Sequence, residues 1–412
     1  MNTKITHIDQ AETLVWDRAS KPPSHDSKVP DVKDEQAKDP KFLELVDNYK
    51  TLLHNRRIPY PVAYELVKEL GHGRQGIIFL GTRHGARGCL TKHAIKLFDP
   101  SIYSSAEKYW TDMGRIAQQV SILQPINNRN LVSKDLYEEC NGIGYMQMQA
   151  IDGVDLDFLL SSRHLGIARE RSSDKEWERF CDVLFKIEGD TISFHQGFVI
   201  YIMRNVLRAL SALHDKGFVH GDIKPTNVMI NIQGTVIIVD FGRAVRIGER
   251  VNILLGSPLY MAPEIHRREP GTAPSDFFSL GLVALEALKG QQITKMANLD
   301  EDALLEFKKS LATDINSYLP ESLLHNKEFV HVIKRFLQPE PSKRYQTAHD
   351  ALLAHDGLLA LREHADDEER ETEYEQELEL YLNKLVDPES ATLNPHFATD
   401  NITALIITND HD

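Results

Sequence analysis

Val219-His-Gly-Asp222-Ile-Lys224-Pro-Thr-Asn227-Val-Met-Ile230 places a carboxylate, a lysine two positions on and an asparagine five positions on along one short segment. The segment is entered from a helical stretch and left by an apolar strand, so the three side chains belong to one loop. Together they suit the movement of a phosphoryl group. Asp222 can accept or orient the proton of an attacking hydroxyl, Lys224 can neutralise charge on the group in flight, and Asn227 can ligate a metal through its amide oxygen.

Just downstream, Val236-Ile-Ile-Val-Asp240-Phe-Gly242 reads as a buried strand ending in a carboxylate on a glycine turn. Asp240 is well placed to hold Mg²⁺, a hard cation that prefers oxygen ligands. Upstream, Leu70-Gly-His-Gly-Arg-Gln-Gly-Ile-Ile-Phe79 carries Gly71, Gly73 and Gly76 between two strand-like runs. Glycines allow the backbone to approach phosphate oxygens, whose charge its N–H groups can bind. A glycine-rich hairpin without a ligand is the plain alternative. A dinucleotide fold requires a helix directly after the third glycine, and Ile77-Ile78-Phe79-Leu80 continues as a strand instead. In Ala94-Ile-Lys96 an isolated lysine sits among alternating apolar residues. It becomes a phosphate ligand only if the glycine loop folds over it.

The order GxGxxG, Ala94-Ile-Lys96, His220-Gly-Asp222, Asp240-Phe-Gly242 and Ala262-Pro-Glu264 resembles the eukaryotic-type protein kinase family over about residues 64 to 361. The resemblance implies a bilobal α+β fold, with a small β-rich lobe holding one long helix and a larger helical lobe. It implies ATP and Mg²⁺ as cofactors, with Asp222 and Lys224 catalytic and Asn227 and Asp240 on the metal. Leu70, Gly71, Gly73, Gly76 and Ile78 would line the nucleotide, and Lys96 would bind its α/β-phosphates. Tyr145-Met-Gln-Met-Gln-Ala-Ile151 looks like the hinge, with Met148 as gatekeeper, the backbone of Gln149 and Ile151 facing adenine, and Asp155 at the ribose. His220 would brace the catalytic loop, and Arg344 would pair with Glu264 as a structural bond. Asp276 opens a helix similar to the buried central helix of the large lobe.

Lys224-Pro-Thr resembles the serine/threonine branch, and Gly256-Ser257-Pro-Leu-Tyr-Met-Ala-Pro-Glu264 resembles its substrate-docking loop. Small-molecule kinases of related fold generally lack that loop. The other alternative is a pseudokinase, a nucleotide-binding or scaffolding module without transferase activity.

Three features depart from the family pattern. Gly221 stands where an Arg usually precedes the catalytic Asp, and there is no Ser, Thr or Tyr between Arg243 and Gly256 to carry the phosphate that such an Arg would bind. Counting along the helical region from Ala106 to Leu123 puts Gln119, not Glu, at the position that pairs with the lysine. Glu107 lies roughly 18 Å away along that helix, unless a kink near Gly114 brings it or Asp112 closer. The charged stretch at about 161–197 has no counterpart in a minimal domain; it reads as a solvated surface insertion or, alternatively, a docking element.

The 412 residues are ordinary for a soluble protein, with 42% hydrophobic and 26% charged. Of the net charge of −14, the stretch 363–379 supplies most, with ten acidic residues and one Arg. The charge therefore describes a tail rather than a cleft. It reads as a solvated helix or disordered segment, with occupation of a basic peptide groove as the alternative. No basic stripe supports nucleic-acid binding. Cys89, Cys140 and Cys181 show no CxxC spacing, and no signal peptide or membrane span is apparent. These observations point to the cytoplasm, with protein substrates as partners and the insertion or the tails as places for a regulatory partner. The expected organisation is a polar extension over 1–60, a kinase domain over 61–361 and an acidic tail over 362–412. Within the extension, apolar residues from Phe42 to Leu53 recur at helical spacing, for a helix packed on the domain or docking a partner.

Overall fold

The computed structural model describes residues 39–393 except 74, 190, 241, 243, 250–257, 293–300, 360, 362–366 and 389–391. Elements run in chain order as helix α1 (Pro40–Asn55), strands β1 (Arg57–Ile58), β2 (Tyr64–Gly73), β3 (Gly76–His84) and β4 (Leu90–Phe98), helix α2 (Ala106–Leu123), and strands β5 (Lys134–Cys140), β6 (Ile143–Gln149) and β7 (Gly153–Asp155). Helices α3 (Leu156–Leu159), α4 (Leu165–Glu170) and α5 (Asp174–Val183) precede the hairpin β8 (Phe185–Glu188) and β9 (Thr191–Phe194). Helix α6 (Gln196–His214) and strands β10 (Phe218–Val219), β11 (Val228–Asn231), β12 (Val236–Ile238) and β13 (Val245–Arg246) follow. Helices complete the order: α7 (Pro263–His266), α8 (Ala273–Lys289), α9 (Glu301–Ser310), α10 (Ile315–Tyr318), α11 (Lys327–Phe336), α12 (Ala348–Leu353) and α13 (Asp367–Asn383). Two compact units divide the described residues: 39–184 with 229–242 and 368–393, and 185–228 with 244–367.

The first unit is built on a six-stranded antiparallel sheet in the order β1-β2-β3-β4-β6-β5. Helix α2 buries Tyr109, Met113, Ile116 and Val120, residues three or four apart that share one helix face. The Tyr109 hydroxyl accepts the Gly144 N–H at 2.8 Å, which ties α2 to β6. Helix α1 begins at Asp39, whose side chain caps Lys41 N–H, and ends at Arg56 in the left-handed region. Its Phe42, Leu45, Tyr49 and Leu52 join the same apolar core as the sheet. At roughly 1.5–3 kcal/mol per fully buried apolar side chain, this contact holds the helix against the sheet; Leu43, on the opposite side, is exposed.

The charged stretch after Ser161 is not a loop. Helices α4 and α5 form there, α5 opening with a capping box between Ser173 and Glu176, and the β8–β9 hairpin follows. Nor is the acidic tail simply solvated. Leu378, Tyr381 and Leu382 of α13 are fully buried, and the Tyr381 ring stands edge-on to Phe180 and His164 at 5.1 and 5.6 Å. Arg179 of α5 meets Glu377 and Glu373, and Lys384 meets Glu176 at 2.8 Å. Arg171 donates to the carbonyls of Lys384 and Val386 at 3.0 and 2.7 Å. The chain then returns to the segment between β6 and β7, where Asp152 accepts the Leu393 N–H at 3.0 Å. Sequence reading stopped at the charges because their partners lie far away along the chain.

The second unit is organised around α8, whose residues from Pro274 to Leu288 are all buried. A Thr272/Ser275 capping box and Pro274 in the first turn start this helix, and Gly290 at φ +68° ends it. A side chain there would meet the Ile192 carbonyl at 2.3 Å, so only glycine lets the helix end against β9. Among the described residues no helix is long and apolar enough to cross a membrane.

Candidate active site

In the second unit the loop 220–227 is braced from below by Asp276, in the first turn of α8. Its carboxylate accepts the N–H groups of His220 and Gly221 at 2.8 and 2.9 Å and meets His214 Nε2 at 2.8 Å. Burial pushes this carboxyl up, but the hydrogen bond and charge of His214 and the Gly221 N–H prevail, and its pKa lies below the usual carboxylate value. Gly221 adopts φ +74°, a conformation that costs a residue with a side chain roughly 1–2 kcal/mol. The loop thus has a local reason for glycine where the family usually has Arg.

Asp222 is buried, with Lys224 Nζ 3.1 Å from its Oδ2. The Asn227 amide nitrogen donates to the Asp222 carbonyl at 2.7 Å and to its Oδ2 at 3.0 Å. With its nitrogen committed, the Asn227 amide presents oxygen, the donor a magnesium ion takes.

In the first unit Lys96 on β4 is buried and pairs with Asp240 Oδ1 at 2.7 Å. Asp240 adopts φ +58°, an uncommon conformation for a non-glycine residue and one found at functional sites. The glycines form the β2–β3 turn, with Gly71 opposite Ile78 and Gly73 opposite Gly76. Their roles differ. A Cβ on Gly76, at φ +141°, would lie 1.8 Å from the Leu97 carbonyl, whereas one on Gly71 or Gly73 would meet nothing within 4 Å. The fold itself demands only the third glycine; the first two leave open backbone that a phosphate can approach.

Leu70 and Ile78 are partly buried on β2 and β3, and Met148 is buried on β6. The Gln149 N–H is committed to the Ser133 carbonyl at 3.1 Å, while among the described residues no hydrogen bond engages the backbone of Ile151. Asp155 caps α3 by accepting the Phe158 N–H at 2.8 Å. Burial raises its pKa to about 6 against the pull of that N–H. Ser257 lies outside the described residues.

A family model for the protein kinase domain matches residues 64–356. The chain belongs to the protein kinase family. It is 27% identical over 291 residues to the serine/threonine-protein kinase SKM1 of Saccharomyces cerevisiae, covering 66% of this chain and 39% of that protein. It is 24% identical over 266 residues to the probable serine/threonine-protein kinase PknB of Lactococcus lactis, covering 63% and 37%. To the probable serine/threonine-protein kinase mkcD of Dictyostelium discoideum it is 29% identical over 204 residues, covering 46% and 30%. In each case the chain spans well under half of the relative's length.

Arg344 forms a two-pronged ion pair with Glu264, at 2.7 and 2.8 Å, and donates to the carbonyls of Pro274, Gln338 and Pro339. Two residues were missed. The sequence puts Asp276 only at the start of a helix, since its role as brace depends on tertiary contacts. Gln75, inside the glycine motif, reaches Lys96 at 3.3 Å. Gln119 is buried on α2, but the described hydrogen bonds of Lys96 are with Asp240 and Gln75. Asp112 is taken by Tyr103 and Arg115 at 2.6 and 2.8 Å, and Glu107 is exposed, so neither acid serves the lysine.

Proposed function

We propose that the chain transfers the γ-phosphate of MgATP to serine or threonine hydroxyls of proteins in the cytoplasm. The observation that carries this reading is the coexistence of two clusters: the Lys96–Asp240 ion pair and the Asp222–Lys224–Asn227 knot. In the proposed reaction Asp222 orients the substrate hydroxyl and accepts its proton, and Lys224, beside it, offsets the negative charge of the group in transfer. Lys96 holds the nucleotide's α/β-phosphates under the open backbone of Gly71 and Gly73. Asn227 and Asp240 would hold magnesium, which when bound neutralises phosphate charge. Catalysis then rests on positioning and charge neutralisation rather than on a covalent intermediate.

The serine/threonine preference rests on Lys224-Pro-Thr and the loop running to Glu264. Protein substrates are the partners this loop suits; α5 and α13, with their exposed charged faces, are where a regulatory partner would bind. The test is phosphate transfer from labelled ATP with Mg²⁺ to the chain itself and to a generic basic protein. Transfer to Ser or Thr that Asp222→Asn and Asp240→Asn both abolish is expected. MgATP binding without any transfer would instead mark a pseudokinase.

A further inference from the structure

Lys96 is held from the glycine loop rather than from α2. Its ammonium meets Asp240 Oδ1 at 2.7 Å and Gln75 Oε1 at 3.3 Å. The same carboxamide donates from Nε2 to the Gly242 carbonyl at 3.3 Å. One neutral side chain therefore joins the loop, the lysine and the turn that carries Asp240.

The surroundings fit this bridge. Gln75 is 7% exposed although it sits at a hairpin turn. Its own carbonyl accepts the Asp99 N–H at 2.9 Å, which fixes the backbone from which the side chain projects. A Cβ on Gly242 would lie 2.5 Å from Gln75 Oε1 and 2.8 Å from Lys96 Nζ, so the absence of a side chain there makes room for the contact. An amide differs from a carboxylate in one useful respect. It directs an acceptor at the ammonium without cancelling its charge, which stays available for phosphate oxygens.

We propose that Gln75 is the positioning residue for Lys96, orienting the ammonium toward the nucleotide and linking glycine loop to Asp240 turn in place of an acid on α2. The assignment rests on the reading of Lys96 as the phosphate-binding lysine, and the experiment separates the two. Binding of a non-hydrolysable ATP analogue with Mg²⁺ is measured by calorimetry for wild type, Gln75→Ala, Gln75→Glu and Lys96→Met. Hydrogen exchange of the loop amides is followed in the nucleotide-free chain. Gln75→Ala is expected to weaken binding on the order of tenfold, the scale of one hydrogen bond to a charged group. Its KM for MgATP rises in step, while KM for the protein substrate stays. Gln75→Glu, which keeps the acceptor, recovers part of the loss. Loop amides exchange faster in both Gln75→Ala and Lys96→Met, and no faster in the double variant, as for two ends of one contact.

Wild-type or tighter binding by Gln75→Ala, with Lys96→Met impaired, would overturn the Gln75 assignment alone; tighter binding would mean that the amide occupies space the phosphates need. Undiminished binding by Lys96→Met would remove the phosphate role of the lysine and the Gln75 proposal with it.

Discussion

The Glu377 carboxylate, 2% exposed on α13, receives the Nε–H of Arg179 from α5. Arg179 itself remains half exposed, so solvent screens the pair in part. Removing the arginine still leaves a buried carboxylate facing α5 without its arginine, which costs more than the pair contributes. Arg179→Ala should therefore destabilise the first unit by about 1–2 kcal/mol, and Glu377→Gln in that background should restore part of it. Thermal unfolding of the four combinations measures this. Strict additivity would show that the two side chains do not interact.

The same packing predicts the effect of removing the tail. Deleting 362–412 would uncover His164, Phe180 and the surface under Leu378, Tyr381 and Leu382, each leucine costing on the order of 2 kcal/mol when its burial is lost. The truncated chain should unfold several degrees lower and bind an apolar dye more strongly. An unchanged melting temperature would show that α13 contributes nothing to the fold.

Much of this was legible from local pattern. The helix predicted over Ala106 to Leu123 forms with those bounds, because its apolar spacing and Ser105 cap act within a few residues. Asp222, Asn227, Lys96 and Asp240 stand out in the sequence because each sits in a short motif. What escaped depends on contacts between distant segments. Nothing local in Gln75 says that its side chain folds inward, and the charges of α5 and α13 look solvated until the two helices are seen together. Gly221 appeared only as a missing Arg until its backbone angle supplied a reason.

Gly221→Arg tests that reason. A side chain at φ +74° is strained by roughly 1–2 kcal/mol, and no acceptor between Arg243 and Gly256 could carry a phosphate for it to bind. The variant should be less stable and no more active, before or after treatment with an activating kinase. Increased phosphate transfer would contradict this account.

Two buried histidines give the stability a sign with pH. Burial lowers His164 to about 4 and His266 to about 3. In the unfolded chain both bind a proton near 6.5. Their contribution is thus complete above about pH 6.5 and is lost as pH falls from there toward 4, at about 1.4 kcal/mol per pH unit for each. His164→Gln should flatten the decline of stability between pH 6.5 and 4.5 by about one proton's worth; an identical slope would mean His164 is protonated in the folded state.

Lys308 on α9 is wholly buried, and burial holds its pKa well below the usual lysine value. It donates to the carbonyls of Pro258 and Met261, the latter at 2.7 Å, and lies 2.9 Å from His266 Nε2. These carbonyls belong to the loop read as docking the protein substrate, so Lys308 shapes that loop without standing at the chemistry. Lys308→Met takes from the Met261 carbonyl its lysine donor, at about 1–3 kcal/mol where no water reaches it, while the Pro258 carbonyl still lies 3.0 Å from His266 Nε2. KM for a peptide substrate should rise about tenfold, the rate equivalent of one such bond, with KM for MgATP within twofold of wild type. Steady-state kinetics with each substrate varied in turn decides it: a change confined to MgATP would place the influence of Lys308 on the nucleotide and not on the docking loop.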